Sequence, residues 1–341
     1  MDRSPSKSQN GVIVSRTPLR ISFAGGGSDF GEYYRQAASG AVLSAAIDKY
    51  VYVTVKRHSP LFHEPIRLNY SETELAGSVE EIKNDIARAC LQFLEYDGPI
   101  YISTIADVPS ASGLGSSSSF AVGLLNALHA LRGEQVSAGQ LACEACHIEI
   151  ELLQSPIGKQ DQFAAAYGGL NYIVFHDDDN VSVAPVRLHP DKLKELFSHI
   201  LLFWTGLSRS AASVLNEQKA NFSKPANMEY MTAIRKHADV LYGHLSTTFD
   251  PHAVGRLLDE SWQCKRRLAS KISSDHIDEW YERGKAAGAI GGKLCGAGGG
   301  GFLMLIVEAE KQEAVCCALS DLACVRVSCD TCGSRLLFPH Q

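Results

Sequence analysis

Long hydrophobic runs are missing from this chain of 341 residues. No apolar stretch reaches ~18 residues, the length a helix needs to cross a bilayer, so no membrane partner is expected. Basic runs are missing too: 32 Lys and Arg stand against 38 Asp and Glu, a net charge of -6 that argues against a nucleic-acid partner. The first ten residues, MDRSPSKSQN, lack an apolar h-region and read as a disordered leader, not a signal peptide. The cytoplasm is therefore the expected compartment. There is no repeat of fixed period and no low-complexity tract beyond glycine runs. The phosphate-loop signature GxxxxGK[ST] does not occur, because Gly158-Lys159 is followed by Gln160 and Gly292-Lys293 by Leu294. The HRD element of protein kinases is absent as well.

Cysteine, in contrast, is plentiful at ten, with CxxC pairs at Cys143/Cys146 and Cys329/Cys332. The first pair lies inside a helical pattern, whereas structural zinc pairs sit on tight turns, and the spacing between the pairs is outside the familiar ligand patterns. The thiols read as free, small, buried hydrophobes. Length favours two domains, and 45% hydrophobic with 21% charged residues describes an ordinary globular protein.

The most informative stretch is Val108 to Leu131, VPSASGLGSSSSFAVGLLNALHAL. Phe120, Leu124, Leu128 and Leu131 recur at i, i+4, i+8 and i+11 and predict a helix, which Gly133 would stop. The loop Gly113-Leu114-Gly115 and the serines Ser116, Ser117, Ser118 and Ser119 thus feed backbone amides into a helix N-terminus. Small residues allow close approach, and the first-turn N–H groups and helix dipole favour an anion. A phosphate cradle is one reading; a glycine turn with a serine N-cap is the other.

Along the rest of the chain, residues 12–24 alternate as a strand that ends in Gly25-Gly26-Gly27, and 42–58 contain a second. A helix is expected over 82–93 and a strand over 101–105. Leu141, Ala145, Ile148 and Leu152 mark one continuous helix, closed by Pro156. Asp161 opens a short helix ending at Gly168-Gly169, and two strands flank the turn Asp177–Asn180 as a hairpin. The polar stretch at His189-Pro190-Asp191 is the expected boundary between a domain 11–190 and a domain 191–341. Beyond it come a buried strand HILLFWTG, helices over 210–245 and 251–288, a glycine run 296–301, the strand FLMLIV, a helix near 311–320 and a strand near 324–328. Strands and helices mix without a βαβ rhythm, which favours two α+β domains. Gly296–Gly301 satisfies GxGxxG, but it follows a helix and precedes a strand, the reverse of the dinucleotide fingerprint.

Three segments, in this order, make the chain resemble the GHMP kinase superfamily: Arg16-Thr-Pro-Leu-Arg-Ile-Ser-Phe-Ala-Gly-Gly-Gly-Ser-Asp29-Phe30, Pro109-x3-Gly-Leu-Gly-Ser-Ser-Ser-Ser119, and Lys293-Leu-Cys-Gly-Ala-Gly-Gly-Gly-Gly301. The AGGGSDF form of the first, with Ser155-Pro-Ile-Gly-Lys-Gln-Asp-Gln162, is most similar to the D-glycero-D-manno-heptose 7-phosphate kinases. The resemblance implies a two-domain α+β fold, with a ribosomal-protein-like α/β N-terminal domain for nucleotide and phosphate and a ferredoxin-like α+β C-terminal domain. It implies ATP and Mg²⁺ as cofactors and transfer of a phosphoryl group to the anomeric hydroxyl of a sugar phosphate, toward nucleotide-activated heptose for surface polysaccharide. A galactokinase- or fucokinase-like enzyme of an unphosphorylated sugar, or a silent sugar sensor, are the alternatives; a homo-oligomer is compatible with either.

The same resemblance distributes roles. Pro109, Ser112, Gly113, Leu114, Gly115 and Ser116–Ser119 would hold the nucleotide. Ser117 would ligate the metal, with Ser116 and Ser118 as neighbours in register, and a hydroxyl is a hard ligand suited to Mg²⁺. For the second metal ligand, Glu149 competes with Glu151. At i±3 and i±4 Glu149 meets Ala145, Cys146, Leu152 and Leu153 and so faces inward, while Glu151 meets His147, Ile148, Gln154 and Ser155. A carboxylate on an apolar face needs a partner, and a cation supplies one. Asp161 matches the base, although Asp is also a common N-cap. Arg20 matches a cation near the nucleophile, or else a surface charge. Asp29 matches the sugar anchor, a turn residue being the other reading, with Gly26, Gly27, Ser28, Gln160, Gly298 and Gly299 also assigned to substrate. For the phosphate already on the sugar, Arg209 and Lys159 are the expected donors, Arg209 being equally compatible with an ion pair between domains.

Overall fold

The computed structural model describes residues 11–207, 211–222, 224–247 and 249–337. Two long strands, β1 (Ile13–Ala24) and β2 (Ser39–Arg57), pair antiparallel as the spine of an eight-stranded sheet. β2 changes partner along its length: Val51–Arg57 pair β5 (Ile100–Ala106), while Ser39–Ala45 pair β6 (Leu170–His176). Beyond β5 lie β3 (Ile66–Asn69) and β4 (Thr73–Ala76), and beyond β6 lies β7 (Val181–Pro185). β12 (Arg335–Leu336) closes the other edge against β1. The chain therefore returns to its first sheet near its end. A second sheet, antiparallel throughout, runs β11 (Ala323–Val325), β8 (Ile200–Trp204), β10 (Phe302–Ile306), β9 (Gly291–Leu294).

The expected central helix is α3 (Ser116–Leu131), with Leu124, Leu128 and Leu131 buried as the stripe requires. It is buried on nearly every side, because the large sheet covers one face and other helices the rest. Gly123 is the point of closest approach: a Cβ there would stand 2.7 Å from Thr17 Oγ1, and Ser15 Oγ donates to the Gly123 carbonyl at 2.7 Å.

One expected helix changes type partway along in the structure. The one over 141–152 is α4 (Ala138–Cys146) followed by a π-helical turn, His147–Leu152, in which Leu153 N–H reaches back to Ile148. The helical pattern over 251–288 comprises α9 (Pro251–Lys265) and α10 (Asp275–Ala286), parted by a segment in which Ser273 Oγ donates to the Asp278 carboxylate. α6 (Pro190–Ser198) carries the chain from one sheet to the other, with proline at its first position. Among the described residues no helix is long and apolar enough to cross a membrane, and all ten cysteines are unpaired.

Candidate active site

β1 brings Arg20 into the interior four residues before the strand runs out into Gly25–Gly27, and the residue is 4% exposed. Its guanidinium forks onto Asp161, Nε to Oδ1 and Nη2 to Oδ2, both at 2.7 Å. Nη1 donates to the Gly113 carbonyl at 2.7 Å, and the Arg20 N–H to that of Leu114 at 3.0 Å. A bidentate pair of this kind is strong and directional. Asp161 lies in the first turn of α5 (Gln160–Tyr167), which starts after Lys159 with no side-chain cap. Its carboxylate serves Arg20 instead of capping. Gly115 is wedged against the pair: a Cβ would stand 3.3 Å from both Arg20 Cγ and Asp161 Oδ2.

The loop before α3 enters the helix through Gly115, at φ +78°, and no serine hydroxyl caps it. Instead the serines disperse. Ser119 Oγ donates to the Pro18 carbonyl at 2.8 Å, Ser118 is buried, and Ser117 Oγ donates to Glu149 Oε1. Glu149, 1% exposed, also accepts from Gln162 Nε2 at 2.7 Å through Oε2. The π-helical turn puts Glu149 inside, whereas Glu151 lies outside, paired with His147. Burial pushes the Glu149 acid above its ordinary value, against the hydrogen bonds from Ser117, Ser118 and Gln162. A hydroxyl and a carboxylate in contact are a donor set that fits Mg²⁺, which takes few protein oxygens and fills its shell with phosphate and water. Among the described residues no three His, Cys, Asp or Glu side chains gather as a self-sufficient metal site, so such an ion would lean on a phosphate ligand.

Asp29 is 2% exposed and held from several sides. Gly27 N–H donates to Oδ1 at 2.9 Å, Gln160 N–H to Oδ2 at 3.2 Å, and Gln160 Nε2 to Oδ1 at 3.1 Å. Gly158 is required beside it, since a Cβ there would fall 2.0 Å from Asp29 Oδ2. Burial first, and the charge of Asp161 second, push the Asp29 acid up.

Arg20, Asp29, Gln160 and Asp161 line one cleft, together with two residues to which the sequence assigns no role, Lys265 and Lys293. Both are buried. Burial, with the neighbouring charge of Lys293 second, brings Lys265 down to about 7; burial brings Lys293 down to about 8. A signal for Lys265 was present in the sequence: after Val254, Leu258 and Trp262 it falls at i+11 on the buried face of α9, the spacing that marks α3.

Other expected residues lie elsewhere. Ser28 is fully buried, and its hydroxyl serves Gly25 and Ala41, tying the glycine turn to β2 instead of facing the cleft. Lys159 Nζ reaches Asp179, at 3.2 Å from Oδ1, and lies over the Tyr34 ring in a neighbouring groove. Gly298 and Gly299 pack on the backbone of Ile272. Pro109 is exposed and Ser112 and Leu114 are buried. Arg209 lies outside the described residues.

The glycine runs of the second and third segments meet backbone to backbone. A Cβ on Gly113 would stand 2.7 Å from the Cys295 carbonyl, and one on Gly301, at φ +95°, 2.4 Å from that of Ser112. Gly301→Ala is expected to cost ~1–3 kcal/mol of stability in denaturant unfolding, and an unchanged midpoint would contradict this close contact.

Comparison with known proteins identifies the family. Residues 81–169 match the GHMP kinases N terminal domain, and residues 244–323 match the GHMP kinases C terminal family. The chain is 31% identical over 310 residues to the D-glycero-alpha-D-manno-heptose 7-phosphate kinase of Campylobacter jejuni, across 88% of this chain and 91% of that one. It is 23% identical over 335 residues to the galactokinase of Pyrococcus furiosus, across 89% and 91%. The crystal structure of a D-glycero-D-manno-heptose 1-phosphate kinase from Bacteroides thetaiotaomicron superposes with a TM-score of 0.76 at 26% identity, over 96% of this chain and 100% of that one. Both halves of the two-domain fold are thus matched in order, and a relative aligns along nearly the whole length: the chain belongs to the GHMP kinase family and is a kinase.

Proposed function

We propose that the protein uses ATP and Mg²⁺ to phosphorylate the anomeric hydroxyl of D-glycero-D-manno-heptose 7-phosphate, giving the 1,7-bisphosphate. The observation that carries this reading is the Arg20–Asp161 fork, which sits where the loop 113–115 meets the cleft holding Asp29. A kinase needs a phosphate-binding backbone, a group to take the hydroxyl proton, and an anchor for the acceptor, and these three adjoin here.

In this reading the backbone of Gly113–Ser116 and the N-terminus of α3 hold the nucleotide phosphates. Ser117 and Glu149 would hold Mg²⁺, which when bound neutralises charge on the phosphates. Asp29 accepts hydrogen bonds from sugar hydroxyls and thereby fixes the ring. Asp161 accepts the proton of the attacking hydroxyl at a carboxylate oxygen. Because the transition state for phosphoryl transfer is loose, proton transfer can come late and a strong base is not required. Arg20 fixes both carboxylate oxygens, so the base cannot rotate away from the acceptor.

The 31% identity to the Campylobacter jejuni enzyme supports the heptose phosphate, and the weaker likeness to a galactokinase supports the second reading, an unphosphorylated sugar. A position-resolved assay decides between them. Purified protein with ATP and Mg²⁺ should place phosphate on carbon 1 of heptose 7-phosphate faster than on heptose, mannose, fucose or galactose. A preference for an unphosphorylated sugar would overturn the substrate reading, and no ADP formation on any of them would mark a sensor.

A further inference from the structure

We propose that Lys265, Lys293 and the Ser22 hydroxyl form the cradle for the phosphate that the acceptor sugar already carries; this deepens, and rests on, the sugar-phosphate reading above. Lys265 Nζ donates to the Gly296 carbonyl, and Lys293 Nζ donates to the carbonyls of Ser22 at 2.7 Å and Phe23 at 3.4 Å. Among the described residues neither lysine has a carboxylate within ion-pair distance, although they are only 9% and 4% exposed. Two buried ammonium groups with carbonyl partners alone are costly unless an anion completes them. A phosphate dianion supplies the missing charge and accepts the N–H donors left over.

A second observation comes from Ser22. Its hydroxyl is buried and has no hydrogen-bond partner. It lines the same cleft as both lysines, and a Cβ on Gly26 would touch both Ser22 Oγ and the Gln160 amide, at 3.6 and 3.7 Å. The orphan donor therefore lies on the side where Gln160 holds Asp29, the proposed sugar anchor.

Among the described residues, Arg20 and Lys159, the other cations beside the cleft, are engaged. Arg20 gives Nε, Nη1 and Nη2 to Asp161 and Gly113, and Lys159 is tied to Asp179 in the adjoining groove. Gly26, Gly27, Asp29 and Gln160 line the cleft alongside the two lysines, which sets the anion they face beside the proposed sugar anchor. Burial depresses both lysines, and a bound dianion would return them to the charged state.

The test compares wild type with Lys265→Met, Lys293→Met and Lys265→Arg. The preference for heptose 7-phosphate over heptose, as a ratio of kcat/KM values, should fall about tenfold or more in either Met variant, the worth of one charged hydrogen bond. Lys265→Arg should recover part of it. Thermal unfolding and binding of a non-hydrolysable ATP analogue check that each variant is folded. Folded variants that lose equally on both sugars would overturn the proposal, because the lysines would then serve the transferred group or the fold. In parallel, inorganic phosphate is titrated by calorimetry with the ATP analogue saturating. Binding by wild type that weakens in the Met variants supports the cradle even where wild type prefers an unphosphorylated sugar, a result that would sink only the substrate reading. No binding of inorganic phosphate by wild type would overturn the cradle.

Discussion

Asp161→Asn is expected to lower kcat by ~10²–10⁴ while leaving affinity for an ATP analogue within a few-fold of wild type. The carboxylate faces the cleft, and its two oxygens are held by Arg20 Nε and Nη2. The amide keeps the shape but cannot take a proton, and it turns an N–H₂ toward one guanidinium donor. Arg20 is buried, so part of the loss could be structural, and the two contributions separate in the readouts. Loss of a base lowers kcat with the melting temperature and nucleotide affinity little changed. A collapse of the fork lowers the melting temperature as well. Activity within a few-fold of wild type would reduce Asp161 to an orienting group for Arg20.

Glu149→Gln should raise the Mg²⁺ concentration for half-maximal activity tenfold or more. Ser117 and Gln162 both donate to the carboxylate, one to each oxygen, so it is held in place before any cation arrives. Glutamine can accept from only one of them, and its neutral amide offers a divalent ion far less. Glu151→Gln is the matched control: the residue is exposed and paired with His147, and its metal titration should stay at the wild-type value. An unchanged titration for Glu149→Gln would remove Glu149 from the metal site.

Much of this arrangement was legible in the residue pattern, for reasons that differ by element. α3 is readable because its apolar residues hold helical spacing for about three turns between a glycine entry and a glycine stop. The inward face of Glu149 followed from i±3 and i±4 neighbours, a rule that survives the π-helical turn because only one turn is widened. That widening itself left no mark, since HIEIEL reads equally well as ordinary helix. β3 and β4 were too short, at four residues each, for alternation to stand out. β12 is two residues long and pairs with a strand more than 300 positions away, which no local pattern reports. Resemblance points to Arg20 and Asp161 separately, but their fork belongs to the tertiary fold. Lys265 was on the apolar stripe of its helix all along, and a lysine there reads as a snorkelling surface residue until the fold closes over it.

The acceptor is expected to lie in the cleft between Asp29 and the two lysines, with its reacting hydroxyl at Asp161. A crystal structure of the ternary complex with a non-hydrolysable ATP analogue, Mg²⁺ and heptose 7-phosphate measures this directly. The carbon 1 oxygen is expected within ~2.6–3.2 Å of an Asp161 carboxylate oxygen, the reach of a base for its proton. A sugar bound outside this cleft, or one presenting a different hydroxyl to Asp161, would contradict it.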